Sequence, residues 1–296
     1  MAERLDPPAP AVRRAVMLAL EEDLLPLGDL TASLVPASLE GEAAFVSRSA
    51  GVLAGSACAI ETARQVGGIE AVFALADGDR VGPGEEVGRL SGNFRSILSA
   101  ERTALNFLSH LSGVATATAR YVEAVRAANP GCNVWDTRKT TPGLRALEKA
   151  AVRAGGGLNH RGSLSEGVLL KDNHLGKTSV ADAVAEALSR WPGRMVEVEC
   201  EHMSQVAEAV EAGATLVLCD NMSPSELEKC VAFVRSHPRG ASGAVLVEAS
   251  GGISLETVAA YAAAGPDLIS VGALTHSSPI LDIGLDLLAD GAPHLG

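Results

Sequence analysis

The sequence predicts an α/β protein in which a parallel sheet, curled into an incomplete α/β barrel, follows an N-terminal α+β module. Three observations lead there. From about residue 132 onward, short runs of apolar and β-branched residues alternate with helical patterns, which is how parallel strands joined by crossover helices read. Thr137 with Arg138, Lys171, Glu199, Asp220, Glu248 with Ser250, and Gly272 fall at or just past the ends of successive strands, where parallel barrels assemble their sites. The first 113 residues lack this alternation and form a module of different character. Six visible strands fall short of the usual eight of a barrel, so a doubly wound open sheet competes. The strand ends favour the barrel, because in an open sheet the same groups would be spread along an edge.

Taken in order, the chain begins with an amphipathic helix around AVMLAL. Arg13 and Arg14 precede it, but six apolar residues followed by Glu21, Glu22 and Asp23 make a poor signal peptide. β-like pieces follow at Ala43 to Arg48, Val52 to Ala54 and Ala71 to Leu75, then the turn-rich ADGDRVGPGEEVGRLSG. Those turns resemble carrier domains for lipoyl or biotinyl groups, yet no lysine lies between Arg48 and Lys139 to bear one. A long helical pattern runs from Ile97 to Leu111 and onward through Val125. Beyond it the expected strands are Asn133 to Thr137, Val168 to Lys171, Met195 to Cys200, Leu216 to Cys219, Ala244 to Ala249 and Leu268 to Val271. Helices are expected at Leu144 to Ala154, Val180 to Trp191, Ser204 to Ala212, Pro224 to Ser236 and Leu255 to Ala263. The expected division is an N-terminal domain over 1–113, a barrel over 114–278, and a C-terminal helix and tail over 279–296 packing back on the N-terminal domain.

Composition narrows the function. No uninterrupted apolar run approaches the roughly 18 residues of a membrane helix, so a soluble cytoplasmic protein is expected. A pI near 5.1 and 3% aromatic residues argue against a nucleic-acid surface and leave small molecules and copies of the chain itself as partners. Five cysteines, Cys58, Cys132, Cys200, Cys219 and Cys230, are widely spaced with no CxxC pair and read as ordinary buried thiols. Against a net charge of −12, the stretch from Trp135 to His174 holds seven basic and four acidic side chains. This cationic island suits an anionic ligand. Arg145, Lys149 and Arg153 recur at helical spacing and are explained as a solvated helix face. Arg138, Lys139, Arg161 and Lys171 are not, since they flank Thr, Pro, Gly and Asn at strand ends.

Individual residues sharpen the expectation. Ser250-Gly251-Gly252 lies between a buried strand and a helix start, where backbone N–H groups approach a phosphate closely. Gly272 ends the next strand and His276 follows it, so two late loops suit a phosphate. Glu199 and Asp220, at neighbouring strand ends, can bind ribose hydroxyls, hold Mg²⁺ through water, or stabilise an oxocarbenium-like centre. Glu197 and Glu201 share a strand face with Glu199, and alternation alone does not choose among the three. Arg138, Arg161 and Lys171 form a clamp for planar anions. Metal-ligand spacings such as HExxH are absent from the sequence, so a tightly held transition metal is not expected.

These residues lie in motifs that resemble the quinolinate phosphoribosyltransferase family, also called decarboxylating nicotinate-nucleotide pyrophosphorylases. The landmarks are EEDLLPLGDLT, GVLAG, ERTALNFL, DTRKTTPGLRALEK from Asp136 to Lys149, RAGGGLNHR, LLKDNH from Leu169 to His174, VEVEC, LCDN and EASGGI. They span nearly the whole chain, and DTRKTTPG with KDNH is the most specific. The resemblance implies an N-terminal α/β sandwich domain followed by an incomplete parallel α/β barrel, of the type II phosphoribosyltransferase kind, working as a homodimer or an assembly of dimers. It implies conversion of quinolinate and phosphoribosyl pyrophosphate to nicotinate mononucleotide, pyrophosphate and CO₂, with Mg²⁺. It further implies that Arg138, His160, Arg161 and Lys171, with the adjacent Thr137, surround the dicarboxylate, and that Arg102 reaches in from the neighbouring subunit. Lys139 and Lys171 would hold anionic groups of both substrates, Glu199 and Asp220 the ribose hydroxyls and Mg²⁺. Ser250, Gly251, Gly252, Gly272 and His276 would hold the 5′-phosphate. Ala150 and the LLPLGD expansion depart from the family pattern at places that look peripheral. Three alternatives remain at this point: a molybdenum-transport-associated paralogue, a catalytically silent binder, and a nicotinate-specific transferase.

Overall fold

The computed structural model describes residues 6–171 and 178–288. Asp172, Asn173 and His174 of the KDNH motif lie outside them. Two compact units are present, one drawn from Met1–Ala119, Thr140–Gly156 and Leu274–Gly296, the other from Arg120–Lys139 and Gly157–Ala273. Neither follows the simple linear division expected, because each takes its chain from separated stretches.

In the first unit, α1 (Ala9–Leu24) precedes β1 (Glu40–Ser47), β2 (Gly51–Val52), α2 (Ser56–Val66), β3 (Ile69–Phe73), β4 (Arg80–Val81) and β5 (Glu86–Asn93). The 35-residue helix α3 (Phe94–Ala128) follows, belonging to this unit as far as Ala119, and its apolar positions Ile97, Ala104, Leu108 and Leu111 recur at helical spacing on the buried side. A later stretch adds α4 (Arg145–Ala154), where the basic spacing predicted a helix, but the solvated face expected there is corrected: Lys149 is buried and Arg145 and Arg153 are half-buried.

The sheet of this unit is four-stranded and antiparallel, and the last strand sits at its edge beside β1, in the order β12-β1-β5-β3, where β12 is Ile283–Leu287. The helix expected over 279–296 is therefore corrected for these five residues. Their alternation Ile-Gly-Leu-Asp-Leu suits a strand with one covered face, and Leu285 lies opposite Phe45. Asp286 meets Arg48 on the outer side, with Nη1 to Oδ2 at 3.0 Å. Phe45, Leu90, Ile97 and Leu108 fill the core, and Phe45 stacks on Phe73 at 5.6 Å. Strand β5 was hidden in the turn-rich stretch because its glycines dilute the apolar alternation. Gly88 shows why they are needed: an added Cβ would stand 2.8 Å from both the Phe73 ring and the Val72 carbonyl.

The second unit carries β6 (Asn133–Trp135), β7 (Val168–Leu170), α5 (Val180–Arg190), β8 (Val196–Cys200), α6 (Met203–Ala212), β9 (Leu216–Asp220), α7 (Pro224–Ser236), α8 (Pro238–Ala241), β10 (Leu246–Ser250), α9 (Val258–Ala263) and β11 (Leu268–Ser270). Its six strands are parallel, in the order β6-β11-β10-β9-β8-β7. That order settles the competition between architectures. From β7 to β11 it runs in sequence with no reversal, and the first strand then pairs with the last, as in a barrel. Between β6 and β7 no ladder forms among the described residues; a single parallel bridge joins Trp135 to Leu158 on that side. The barrel is incomplete there. Val196, Val198, Val217, Val247 and Ile269 are fully enclosed, which explains why these strands read as short continuous apolar runs. Ser223 and Glu226 form a reciprocal cap at the start of α7, with Pro224 as its first residue. Among the described residues no helix is long and apolar enough to cross a membrane.

Candidate active site

Strand ends of the second unit deliver polar side chains to one cavity of about 520 Å³. Thr137, Arg138 and Lys139 follow β6, Lys171 follows β7, Glu199 belongs to β8, Asp220 ends β9, and Glu248 and Ser250 belong to β10. His160 and Arg161 join them from the segment after Leu158, and Gly251, Gly252, Asn221 and Ser270 complete the polar wall. Because β6 ends at Trp135, the opposite-face rule for neighbouring strand residues no longer applies at Arg138 and Lys139, and both reach the same space. A larger cavity of about 1010 Å³ lies in the first unit, lined by α1, α3 and Pro142–Leu144. Its wall is mostly apolar and lacks a convergent cationic set, so the smaller cavity is where the chemistry-bearing groups meet.

Eleven of the expected residues thus come together: Thr137, Arg138, Lys139, His160, Arg161, Lys171, Glu199, Asp220, Ser250, Gly251 and Gly252. Three do not line the cavity. Gly272 follows β11 without reaching the wall. Arg102, on α3, has a side chain two-thirds exposed and 3.9 Å from Glu101. His276 ends the short helix α10 (Ala273–His276) and lies within 2.6 Å of the Ser277 hydroxyl.

The three acids of β8 separate clearly. Glu199 lines the cavity and forms an ion pair with Lys171. Glu201 lies past the strand in solvent, and its backbone N–H donates to Gln205. Glu197 is fully buried below the cavity wall, its Oε2 3.0 Å from Nε2 of His160. Asp136, also fully buried, accepts from the His160 backbone N–H at 3.0 Å and from Asn159 Nδ2 at 2.7 Å. Glu248, expected among the strand-end groups, lines the cavity although fully buried, whereas the enclosed layer of Asp136 and Glu197 had no assigned role, Glu197 being only one of three candidates on its strand face. Its only signal was alternation, which gives a face and not a depth. Asn221 was legible only inside the LCDN motif. It is the sole non-glycine at positive φ among the described residues (φ 54°), and its Nδ2 donates to Asp220 Oδ2 at 2.6 Å.

Burial governs the electrostatics. It raises Glu197 to about 7, against its hydrogen bond with Glu248 and the pull of Arg161 and Lys171. Glu248 is held well above the usual carboxylate range, first by burial and then by the charge of Glu197. Arg161 is lowered chiefly by burial, with Glu197 opposing and the like charge of Arg138 adding to the effect. Its Nη1 donates to the Gly167 carbonyl at 2.7 Å, while Nε is buried without an acceptor among the described residues. A raised carboxyl lets the folded state keep a proton that the unfolded chain loses near its ordinary value of 4.5. The contribution of Glu197 is thus full below that value and is lost as pH rises through about 7. Denaturant unfolding at about pH 5 and about pH 8 should show the parent losing more stability than Glu248→Gln on going up. Parallel losses in both proteins would sink the assignment.

Two acid sets invite a cation. His160, Glu197 and Glu248 place ligand atoms within 4.8 Å of one another, but all three residues are buried. Mg²⁺ keeps several waters, and such an enclosed trio leaves it none. Glu199 and Asp220 stand on the cavity wall as oxygen donors beside open space, which does fit.

Comparison with known proteins gives concordant matches. Residues 114–286 match the family model described as quinolinate phosphoribosyl transferase, C-terminal domain, and residues 29–112 match its N-terminal domain. The nicotinate-nucleotide pyrophosphorylase [carboxylating] of Mycobacterium leprae is 41% identical over 282 residues, covering 94% of this chain and 97% of that protein. Quinolinate phosphoribosyltransferase [decarboxylating] 1 of Nicotiana glauca is 35% identical over 302 residues, covering 96% and 85%. The solved nicotinate-nucleotide pyrophosphorylase of Francisella tularensis superposes with a TM-score of 0.88 at 36% identity, over 96% of this chain and 98% of that one.

Proposed function

Because this chain belongs to the quinolinate phosphoribosyl transferase family, we infer that it transfers phosphoribosyl from phosphoribosyl pyrophosphate to quinolinate with loss of CO₂, forming nicotinate mononucleotide for NAD biosynthesis. The observation that carries the reading is the single cavity in which four cations, Arg138, Lys139, Arg161 and Lys171, face three acids, Glu199, Asp220 and the enclosed Glu248. Such a wall suits two anionic substrates that react through a cationic centre.

In this reading Arg138, Arg161, Lys171 and His160 hold the two carboxylates of quinolinate, with Thr137 beside them. Lys139 and Lys171 meet the anionic groups where the substrates abut. Ser250, Gly251 and Gly252 receive the 5′-phosphate through backbone N–H groups, with Gly272 and His276 assigned to the same phosphate. The pyridine nitrogen forms a bond to the anomeric carbon as the bond to pyrophosphate oxygen breaks. Glu199 and Asp220 stabilise the positive charge that develops on the ribosyl group and bind its hydroxyls. The bond from ring C2 to its carboxylate then breaks. Its electron pair stays on C2 beside the now cationic nitrogen, CO₂ leaves, and C2 takes a proton. The chain supplies position and charge, and needs no nucleophile of its own. Glu199 and Asp220 would hold Mg²⁺ through water; when bound, it neutralises charge on pyrophosphate. The five free and buried cysteines suit a cytoplasmic enzyme.

The test follows nicotinate mononucleotide and CO₂ together from quinolinate, phosphoribosyl pyrophosphate and Mg²⁺, with nicotinate as control substrate. Equal release of both products from quinolinate alone is expected. Folded protein without turnover would overturn the reading in favour of a silent binder or paralogue.

A homodimer sharing its sites extends the proposal, with the exposed Arg102 completing the neighbour's cavity. Mixing Arg102→Ala chains with Lys171→Ala chains is then expected to restore activity, since one site of each mixed dimer regains both residues. Mass spectrometry establishes the mixing, and mixed dimers as inactive as their parents would refute a shared site.

A further inference from the structure

We propose that Glu197 is a positioning residue for quinolinate, fixing which edge of the His160 imidazole faces the cavity. The proposal rests on the reading above and adds a residue that does not line the cavity at all.

His160 is held from several sides. Its backbone N–H is bound to Asp136, which Asn159 also grips. Its ring lies against Trp135, with centroids 4.5 Å apart and planes tilted by 58°. The first contact fixes the backbone and the second confines the ring. Neither distinguishes the imidazole from the same ring turned by half a revolution about its Cβ–Cγ bond, which exchanges nitrogen for carbon at each edge. The contact from Glu197 Oε2 to Nε2 at 3.0 Å does distinguish them.

The burial of Glu197 supports this role. It is fully enclosed, and a carboxyl at that depth opposes folding unless it is held by partners. Beside it stands the fully buried Glu248, which shares a hydrogen bond with Glu197. Of the contacts Glu197 makes, the one to His160 reaches an imidazole that lines the cavity. A ring edge set in this way presents the same polar atom to every incoming carboxylate, as outer-shell carboxylates do for histidine in other sites.

The experiment measures KM for each substrate separately in Glu197→Ala, Glu197→Gln and Arg138→Ala. Alanine at 197 should raise the quinolinate KM about tenfold, leaving the phosphoribosyl pyrophosphate KM within about twofold. Glutamine keeps an acceptor in place and should recover most of the loss. If Glu197→Ala does not fold, the isosteric Glu197→Gln still decides the matter through the ring nitrogen resonances of His160, assigned with His160→Gln. A shifted Nε2 resonance supports the hydrogen bond, and an unmoved one overturns it. The proposal also fails if alanine leaves quinolinate affinity unchanged, raises both KM values alike, or is matched by glutamine. Those outcomes leave the proposed function standing so long as Arg138→Ala loses quinolinate. If Arg138→Ala keeps full quinolinate affinity, the assignment of the cavity itself falls, and this inference with it.

Discussion

Arg138→Ala is expected to lower kcat/KM for quinolinate by about 100-fold or more, the usual scale for deleting one partner of a desolvated, hydrogen-bonded charge pair. Arg138 reaches the cavity immediately after β6, beside Lys139 and within the electrostatic range of Arg161. A planar guanidinium offers two parallel N–H groups to a carboxylate, and lysine offers a point charge. Arg138→Lys should therefore recover only part of the loss. Steady-state rates with quinolinate varied and phosphoribosyl pyrophosphate saturating measure the effect. An alanine variant within about threefold of the parent would remove Arg138 from the dicarboxylate site.

Gly251→Ala is expected to raise the phosphoribosyl pyrophosphate KM by at least about tenfold while quinolinate affinity stays nearly unchanged. Gly251 sits at φ 96°, in the left-handed region that a side chain resists. An added Cβ would lie 2.3 Å from Asn221 Oδ1 and 2.7 Å from the Asn221 backbone nitrogen. The second of these cannot yield without moving the end of β9, where Asn221 N–H donates to the Ser250 carbonyl at 3.0 Å. Gly252 supplies an internal control. Its φ is 59°, yet nothing lies within 4 Å of a Cβ built there. Gly252→Ala should thus show only the cost of the backbone conformation, on the order of 1 kcal/mol in stability. Equal kinetic effects at both positions would mean that conformation, and not the contact with Asn221, controls the phosphate loop.

The fold is legible in the sequence where local pattern and burial agree. The barrel strands are short, apolar and bounded by turns, so β6 to β11 were found to within a residue or two. The first unit was harder to read. Gly88 and Gly92 interrupt β5, α2 is built largely of small residues, and β12 pairs with β1 from the far end of the chain. Only a register such as Leu285 opposite Phe45 reveals what that last strand is for. In the site, groups at strand ends were legible because a parallel barrel turns position along a strand into position around a mouth. The layer beneath them was not legible. Glu197 and Glu199 look alike by alternation, but one is enclosed against His160 while the other reaches Lys171.

The edge place of β12 bears on how the protein is made. A ribosome delivers β1 long before Ile283–Leu287, so throughout that interval the outer hydrogen-bonding row of β1 waits for its partner. An unpaired strand edge is a template for any other extended chain nearby. A message truncated shortly before Ile283 would encode every residue that lines the cavity, yet its product would keep that edge open. For this enzyme the pairing of Ile283–Leu287 with β1 is what closes that edge.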